Sequence, residues 1–283
     1  MALVSAGEII VSARAAGHGA GAFNVIGIEH AEAILTGAES AGAAVVLQIS
    51  ENCAAYHGGL APVAAAVLAA AGSAAVPAAV HLDHATSAEL VREAVALGLG
   101  SVMYDASVLP YADNVAATAA IAAWCRDRGV FVEAELGEVG GKDGVHAAGA
   151  RTDPAQAADF AAATGIDALA VAVGSSHAML TRDAVLDLEL IRRIRETVGV
   201  PLVLHGSSGV PDDALSAAVA AGLTKINIAT QLNKVFTAAV RSRLAGDTMM
   251  TDPRRYLAAG RDAIAAEVCR LLGVLRADAG SRV

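Results

Sequence analysis

Aromatic side chains are nearly missing from this 283-residue chain: four Phe, four Tyr and one Trp, 3% of the whole. The interior of a sequence that is 55% hydrophobic must therefore be filled largely by Ala, Val, Ile and Leu, and disorder is excluded. Cysteine is scarce as well. Cys53, Cys125 and Cys269 are too few, too scattered and odd in number for a disulfide framework or a Cys-based zinc site, and they predict a reducing, cytoplasmic setting. Lysine occurs only at Lys142, Lys225 and Lys234, against seventeen arginines, a skew that reads as genome composition rather than anion binding. Twenty basic against 29 acidic residues leave a net charge of −9. That balance argues against nucleic-acid or membrane partners held by bulk charge, so any phosphate must be bound locally. The segment 60–80 has no charge, yet Pro62, Gly72, Ser73 and Pro77 interrupt it, which predicts a packed helix and a turn rather than a membrane span. Residues 1–14 carry Glu8 and lack both a basic start and a long apolar run, so no secretory signal is expected and the mature chain is expected to start here.

Eight apolar, β-prone runs recur with helical segments between them, at 20–25, 43–50, 78–84, 101–106, 131–136, 168–174, 201–206 and 225–230. Each is nearly continuous in apolar character, as parallel strands covered on both faces should be, and each is followed by enough chain to cross over as a helix. Ser5 with Glu8 predicts a capping box, Asp153 with Pro154 a helix start, and Gly98, Gly165 and Gly222 helix stops. No Pro/Ser-rich linker or charge block divides the units. The expectation is one α/β domain over residues 1–283, a (β/α)8 TIM barrel with a helical extension from Pro253 to about Gly273.

Active sites of such barrels lie at the C-terminal ends of the strands. There the third run ends in His81-Leu82-Asp83-His84, the fourth in Asp105-Ala106-Ser107, the sixth leads to Gly174-Ser175-Ser176-His177, and the seventh ends in His205-Gly206. Imidazoles on three strands of one rim are hard to explain by packing, and three neutral imidazoles suit a zinc ion with a fourth position left open. His81, two residues before Asp83, reads as a core or supporting partner, while His18, His30, His57 and His146 fall in helix or loop contexts. Two turns rich in small and hydroxyl residues follow the seventh and eighth runs: His205-Gly206-Ser207-Ser208-Gly209 ahead of Pro211-Asp212, and Asn227-Ile228-Ala229-Thr230. Their placement matches the phosphate site that barrels build from backbone amides and a helix start.

Taken in order, AFNV at 22–25, HLDHA at 81–85, SVMYDAS at 101–107, VEAELGEVGG at 132–141, DALAVAVGSSH at 167–177, PLVLHGSSGVPD at 201–212 and KINIATQL at 225–232 resemble the class II, metal-dependent ketose-bisphosphate aldolases. The likeness spans almost the whole chain and is strongest for the branch holding fructose- and tagatose-bisphosphate aldolases. It implies one Zn2+ per subunit on His84, His177 and His205, a monovalent cation as a further option, and Asp83 as the acid/base on the aldehyde-derived oxygen. Asp105 and Glu135 are implied near the metal, in a second site or a supporting shell. Gly206, Ser207, Ser208, Asn227, Ile228, Ala229 and Thr230 are implied to hold the dihydroxyacetone phosphate half of a ketose (bis)phosphate. The implied reaction, glycolytic if the substrate is fructose bisphosphate, yields glyceraldehyde 3-phosphate as the aldehyde. Breaking the C3–C4 bond leaves negative charge on C3, which a divalent cation can spread, and Asn227 can donate to it. Arg254, in Asp252-Pro253-Arg254-Arg255, matches a stretch that in relatives reaches a distal phosphate of a neighbouring subunit, and a homodimer or homotetramer is expected.

Some positions depart from the family pattern. The loop after Gly140-Gly141 is shortened and lacks the usual Glu that exchanges the C3 proton, leaving Asp143 or Glu138 as substitutes; Ala178 stands where the family has Gly, and Ser207 where Gly or Ala is common. Two competing readings follow. A Schiff-base aldolase would need Lys225, which is expected at the start of the eighth strand and away from the active rim, or Lys142 in a loop. A catalytically impaired sugar-phosphate-binding paralogue would keep the sites and lose turnover.

Overall fold

The computed structural model describes residues 2–137, 150–176, 179 and 181–276. Eight parallel strands close in sequence order into a barrel: β1 (Ala20–Asn24), β2 (Val45–Ser50), β3 (Ala78–Ala85), β4 (Ser101–Tyr104), β5 (Phe131–Glu135), β6 (Ala168–Ala170), β7 (Leu202–Leu204) and β8 (Leu223–Ile228), with β1 bonded to β8. Every expected run contains a strand, and the differences lie at the ends. Runs six and seven shorten to three residues; past β6, Val171 N still donates to Val203 O, while Ala172 and Val173 pair with Thr152 and Asp187 instead of a strand. The eighth starts two residues early, at Leu223, directly after Gly222 ends the preceding helix at φ 135°.

Around the strands lie α1 (Ala6–Ala16), α2 (Ile28–Ala41), α3 (Glu51–Tyr56), α4 (Leu60–Gly72), α5 (Ala88–Ala96), α6 (Tyr111–Arg126), α7 (Pro154–Thr164), α8 (Leu188–Thr197), α9 (Asp212–Ala221), α10 (Thr230–Ala245) and α11 (Pro253–Val274). Their ends follow local chemistry. Ser5 and Glu8 form a reciprocal capping box on α1, and Asp153 accepts from Gln156 N with Pro154 at the first helical position of α7. The uncharged segment becomes α4, which buries Leu60, Val63, Ala64, Val67 and Ala71 against the barrel. Among the described residues no helix is long and apolar enough to cross a membrane. The extension α11 packs on α2 at backbone range: a Cβ at Gly37 would stand 2.5 Å from the Ala265 carbonyl oxygen.

Alternation along each strand makes two interiors. Outward residues such as Phe23, Leu47, Leu82, Val132, Val203's neighbours Leu202 and Leu204, and Ile226 join one large apolar layer beneath the helices. Inward residues fill the lumen. Its floor is apolar, with Ala20, Ala22, Val46 and Ala79 packed on Ile9 and Ile10 of α1. Above that the lumen turns polar, with Gln48, His81, Ser101, Glu133 and Lys225 all fully buried.

Candidate active site at the mouth of the barrel

The site begins with an irregularity. His81 pairs with Ser101 and Leu82 with Val102, but Ala85 pairs with Tyr104, so Asp83 and His84 together face one residue of β4. This bulge, with His84 in the left-handed region at φ 53°, lets two consecutive residues serve the same mouth where a regular strand would send them to opposite faces. Such a conformation in a non-glycine residue carries a strain of about 1–3 kcal/mol.

His84 and His205 meet edge to face across the mouth, their ring centres 4.7 Å apart. His84 Nδ1 lies 2.7 Å from Asp105 Oδ2, and His205 Nε2 lies 2.9 Å from Glu133 Oε1. Each carboxylate takes the N–H of its imidazole and fixes the tautomer. The remaining nitrogens, His84 Nε2 and His205 Nδ1, are 3.0 Å apart. A positive charge holds them at that distance, either a proton on His84 Nε2 donated to His205 Nδ1 or a cation bound by both. Glu135 adds a carboxylate oxygen to the same place: ligand atoms of His84, Glu135 and His205 lie within 4.8 Å of one another. Burial lowers the His84 pKa, but Asp83, Asp105 and Glu135 outweigh it and push it up to about 9. Burial pushes His205 down. The donor set, two imidazoles and a carboxylate with oriented outer nitrogens, fits a divalent cation such as zinc.

Asp83 sits beside this cluster. Its Oδ2 accepts from Asn24 Nδ2 at 2.8 Å, and Asn24 Oδ1 accepts in turn from Gln48 Nε2 at 3.0 Å. Its Oδ1 has no hydrogen-bond partner among the described residues. Burial raises its pKa, but the charges of His84, His205, Lys225 and His81 outweigh burial and bring it to about 2. Asp83 is thus a buried carboxylate with one acceptor oxygen to spare.

A cavity of about 100 Å³ opens above these groups, lined by Asn24, Asp83, His84, His205, Asn227 and Thr230 together with Gly206, Ser208 and Ala229. Gly206 adopts φ 67°, which glycine takes without strain, and starts a short 3-10 turn over Ser207–Gly209. Ser207 Oγ donates to the Asn227 carbonyl and Ser208 Oγ accepts from Gln231 N at 3.2 Å, tying this turn to the next loop. That loop leads from β8 into α10, whose first residue is Thr230, so a helix start borders the cavity. A larger cleft, about 640 Å³, opens at the opposite end of the barrel between Arg14, His18, Arg195 and Thr224. It lies at the floor end, away from the carboxylates and the imidazole pair.

Most of the expected site residues converge here: Asp83, His84, Asp105, Glu135, His205, Gly206, Ser208, Asn227, Ala229 and Thr230 line the cavity or touch its walls. Ser207 supports the turn from behind, and the Ile228 side chain packs in the outer apolar layer, leaving only its backbone near the site. Arg254 is 89% exposed at the start of α11 and forks onto Asp252. His177, Ala178, Glu138, Lys142, Asp143 and His146 lie outside the described residues. His81 is a lumen residue, as expected: Nδ1 is 2.6 Å from Ser101 Oγ, and burial lowers its pKa to about 3.

The sequence reading missed Asn24, Gln48 and Glu133, and it misplaced Lys225. Lys225 is the third residue of β8 rather than its first, and its Nζ points up the lumen to Glu133 Oε2 at 2.7 Å. Burial pushes the Glu133 carboxyl up, but Lys225 beside it and the hydrogen bond from His205 hold it well below the usual range. Lys225 is therefore part of the buried network beneath His205. It is fully buried there, which counts against a Schiff base on Lys225. The signal was present in the sequence: Glu133 and Glu135, like Lys225 and Asn227, are two apart on a strand and must share a face.

Comparison with known proteins identifies the family. The family profile for class II fructose-bisphosphate aldolase matches residues 4–279. The fructose-bisphosphate aldolase of Geobacillus stearothermophilus is 40% identical over 272 residues, covering 95% of each chain. That of a Staphylococcus epidermidis strain is 39% identical over 268 residues, 93% of this chain and 94% of the other. Among solved structures, the YdjI aldolase from Escherichia coli K12 superposes with a TM-score of 0.83 at 28% identity, covering 96% and 97% of the two chains. The Campylobacter jejuni fructose-bisphosphate aldolase, at 22% identity and a TM-score of 0.82, shares the fold over 97% and 95%. With a profile match over nearly its whole length, this chain belongs to the class II fructose-bisphosphate aldolase family, a family of generally metal-dependent lyases.

Proposed function

We propose that this chain is a zinc-dependent aldolase that reversibly cleaves a ketose bisphosphate, fructose 1,6-bisphosphate in the first place, into dihydroxyacetone phosphate and an aldehyde, glyceraldehyde 3-phosphate for that substrate. The observation that carries the reading is the 3.0 Å approach of His84 Nε2 to His205 Nδ1, with both outer nitrogens committed to carboxylates, next to Asp83 and a glycine-rich turn. His84 and His205 would hold the metal, with His177 as the third ligand and Glu135 and Asp105 around them. When bound, the metal supplies the positive charge that stabilises the anion left on C3.

The chain's own residues do the rest. Asp83, ionised by its cationic surroundings, accepts the proton of the C4 hydroxyl on its open oxygen as the C3–C4 bond breaks, and returns it in the condensation direction. Asn24, itself held by Gln48, donates to the other oxygen and keeps the carboxylate turned toward the cavity. Gly206 and Ser208 on one side, with Ala229 and Thr230 at the start of α10 on the other, bind the C1 phosphate through backbone amides and hydroxyls. Asn227 lines the same cavity and donates to the developing charge. Fixing the phosphate removes orientational freedom from the reacting carbons, an effect of several kcal/mol, about 7 in well-aligned cases. Residues 1–283 are read as one domain acting in the cytoplasm as a homodimer or homotetramer, with Arg254 a candidate for the distal phosphate across subunits.

A coupled assay for dihydroxyacetone phosphate tests the reading. Fructose 1,6-bisphosphate is expected to be cleaved, activity to vanish with a chelator and to return with zinc. Asp83→Ala should keep the metal while kcat drops about 10²–10⁴-fold, and His205→Ala should lose the metal itself. Undiminished turnover in protein shown to be metal-free would refute the proposal, and binding without turnover would favour the non-catalytic reading.

A further inference from the structure

Beyond β6, Met179 and residues 181–187 fasten to the turn that follows β7. The Ala184 amide donates to the Gly209 carbonyl at 3.0 Å. Met179 lies over Gly209 so closely that a Cβ there would meet its sulfur at 2.5 Å. Arg182 donates from Nε at 3.0 Å and Nη2 at 2.6 Å to the Val210 carbonyl, and from Nη2 to Asp212 Oδ1 at 2.5 Å. The other oxygen of Asp212 accepts from Arg270 of α11. Arg270 forks onto Glu267 at 2.8 Å through two nitrogens, Glu267 accepts from Gln231 Nε2 at 3.0 Å, and Gln231 N donates to Ser208 Oγ. The circuit leaves the turn at Val210 and Asp212 and returns to it at Ser208.

An isolated half-exposed ion pair contributes little to stability. Here a planar guanidinium sets three N–H contacts on acceptors that are themselves held, a geometry lysine does not reproduce. We propose that Arg182 is a positioning residue that couples residues 181–187 to the turn at 206–212, so that an anion bound on the turn and order in the 181–187 segment stabilise each other. The proposal rests on the reading of Gly206 and Ser208 as the phosphate site. By linkage the coupling acts in both directions with the same factor.

The full-length protein and its R182M, R182K, D212N and S208A variants are compared with inorganic phosphate as probe by calorimetry, with fructose 1,6-bisphosphate in steady-state kinetics, and by amide exchange of 181–187. In R182M phosphate should bind about tenfold more weakly, the fall in kcat/KM should be carried by KM, and phosphate should no longer slow exchange in 181–187. R182K should match R182M, and D212N should shift affinity in the same direction by a smaller factor. A merely structural role would lower the melting temperature and leave phosphate affinity unchanged. Weaker phosphate binding in S208A with normal binding in R182M and R182K overturns the coupling and spares the phosphate turn. Normal binding in S208A overturns the phosphate turn, and the coupling with it. Should R182M not fold, R182K and D212N decide by the same comparison.

Discussion

Lys225 and Ile226 are neighbours on β8 and both are fully buried, yet they live in different solvents. Ile226 enters the layer under the helices, where Phe23, Leu47, Leu82 and Ile228 meet by shape alone. Lys225 enters the lumen, where it must find Glu133 at 2.7 Å, and Glu133 must find His205 at 2.9 Å. The outer layer is held by non-directional burial and tolerates any apolar group of the right volume. The lumen is held by direction and charge, and each member fixes the next up to the imidazole pair. From Lys225 onward this strand thus builds the scaffold with Ile226 and Ile228 and supports the chemistry with Lys225 and Asn227.

The sharpest way to break this contrast is to remove one charge from the lumen. Lys225→Met leaves the Glu133 carboxylate buried without its cation, and a loss of about 3–5 kcal/mol is expected. The double variant Lys225→Met, Glu133→Gln removes both charges and should recover much of that loss. Urea titration of the three proteins gives the answer. If the single variant is as stable as the parent, the lumen is not held by the pair.

How much of this could be read from the chain depends on which interior is asked about. The eight runs, the helix starts at Ser5 and Asp153 and the stops at Gly165 and Gly222 were legible because they depend on local chemistry. Asp83, His84 and His205 were legible because polar residues at strand ends have few other reasons to be there. Gln48, Glu133 and Lys225 were hidden by treating the strands as continuously apolar; only alternation shows that they share the lumen. The bulge at Asp83 and His84 could not be read at all, since it is a property of the register between β3 and β4 rather than of either strand. The same holds for the bond from Asn24 to Asp83, which spans 59 residues.

The outer layer should fail differently. Leu82→Ala or Ile49→Ala removes a fully buried side chain and is expected to lower stability by about 2–5 kcal/mol, near 3 in a site that relaxes in part. Turnover per folded molecule should stay close to that of the parent, because neither residue faces the cavity. A large fall in kcat at full folding would show that the two interiors are not separable.

Acid should strike the lumen first. His81 is held neutral with its pKa near 3, while an unfolded histidine sits near 6.5. Between those values the unfolded state binds the extra proton, so stability rises with pH and is lost as pH falls from 6.5 towards 3. For one proton the slope is at most about 1.4 kcal/mol per pH unit. His81→Gln should flatten that part of the profile, measured as the urea midpoint from pH 6.5 downward. An unchanged slope would mean that His81 is not the group that carries it.

The smallest effect expected lies at the floor, where the two interiors come closest. Ile9 and Ile10 of α1 close the lumen from below by packing on Ala20, Ala22, Val46 and Ala79, so the polar network above stays dry only while α1 is in place. Its first turn is held by Ser5 Oγ, which accepts from Gly7 N at 3.2 Å, and by Glu8 Oε1, which accepts from Ser5 N at 3.1 Å. Ser5→Ala removes one arm and should lower stability by about 1 kcal/mol. Glu8→Ala in the same background should add less than it does alone, because the two bonds cap one helix end. The telling readout is amide exchange in β8: if α1 guards the lumen, Ser5→Ala should speed exchange around Lys225 and leave α11 unaffected. Equal acceleration at both places would mean that the cap stabilises the fold as a whole and that the floor has no separate part in keeping the charges dry.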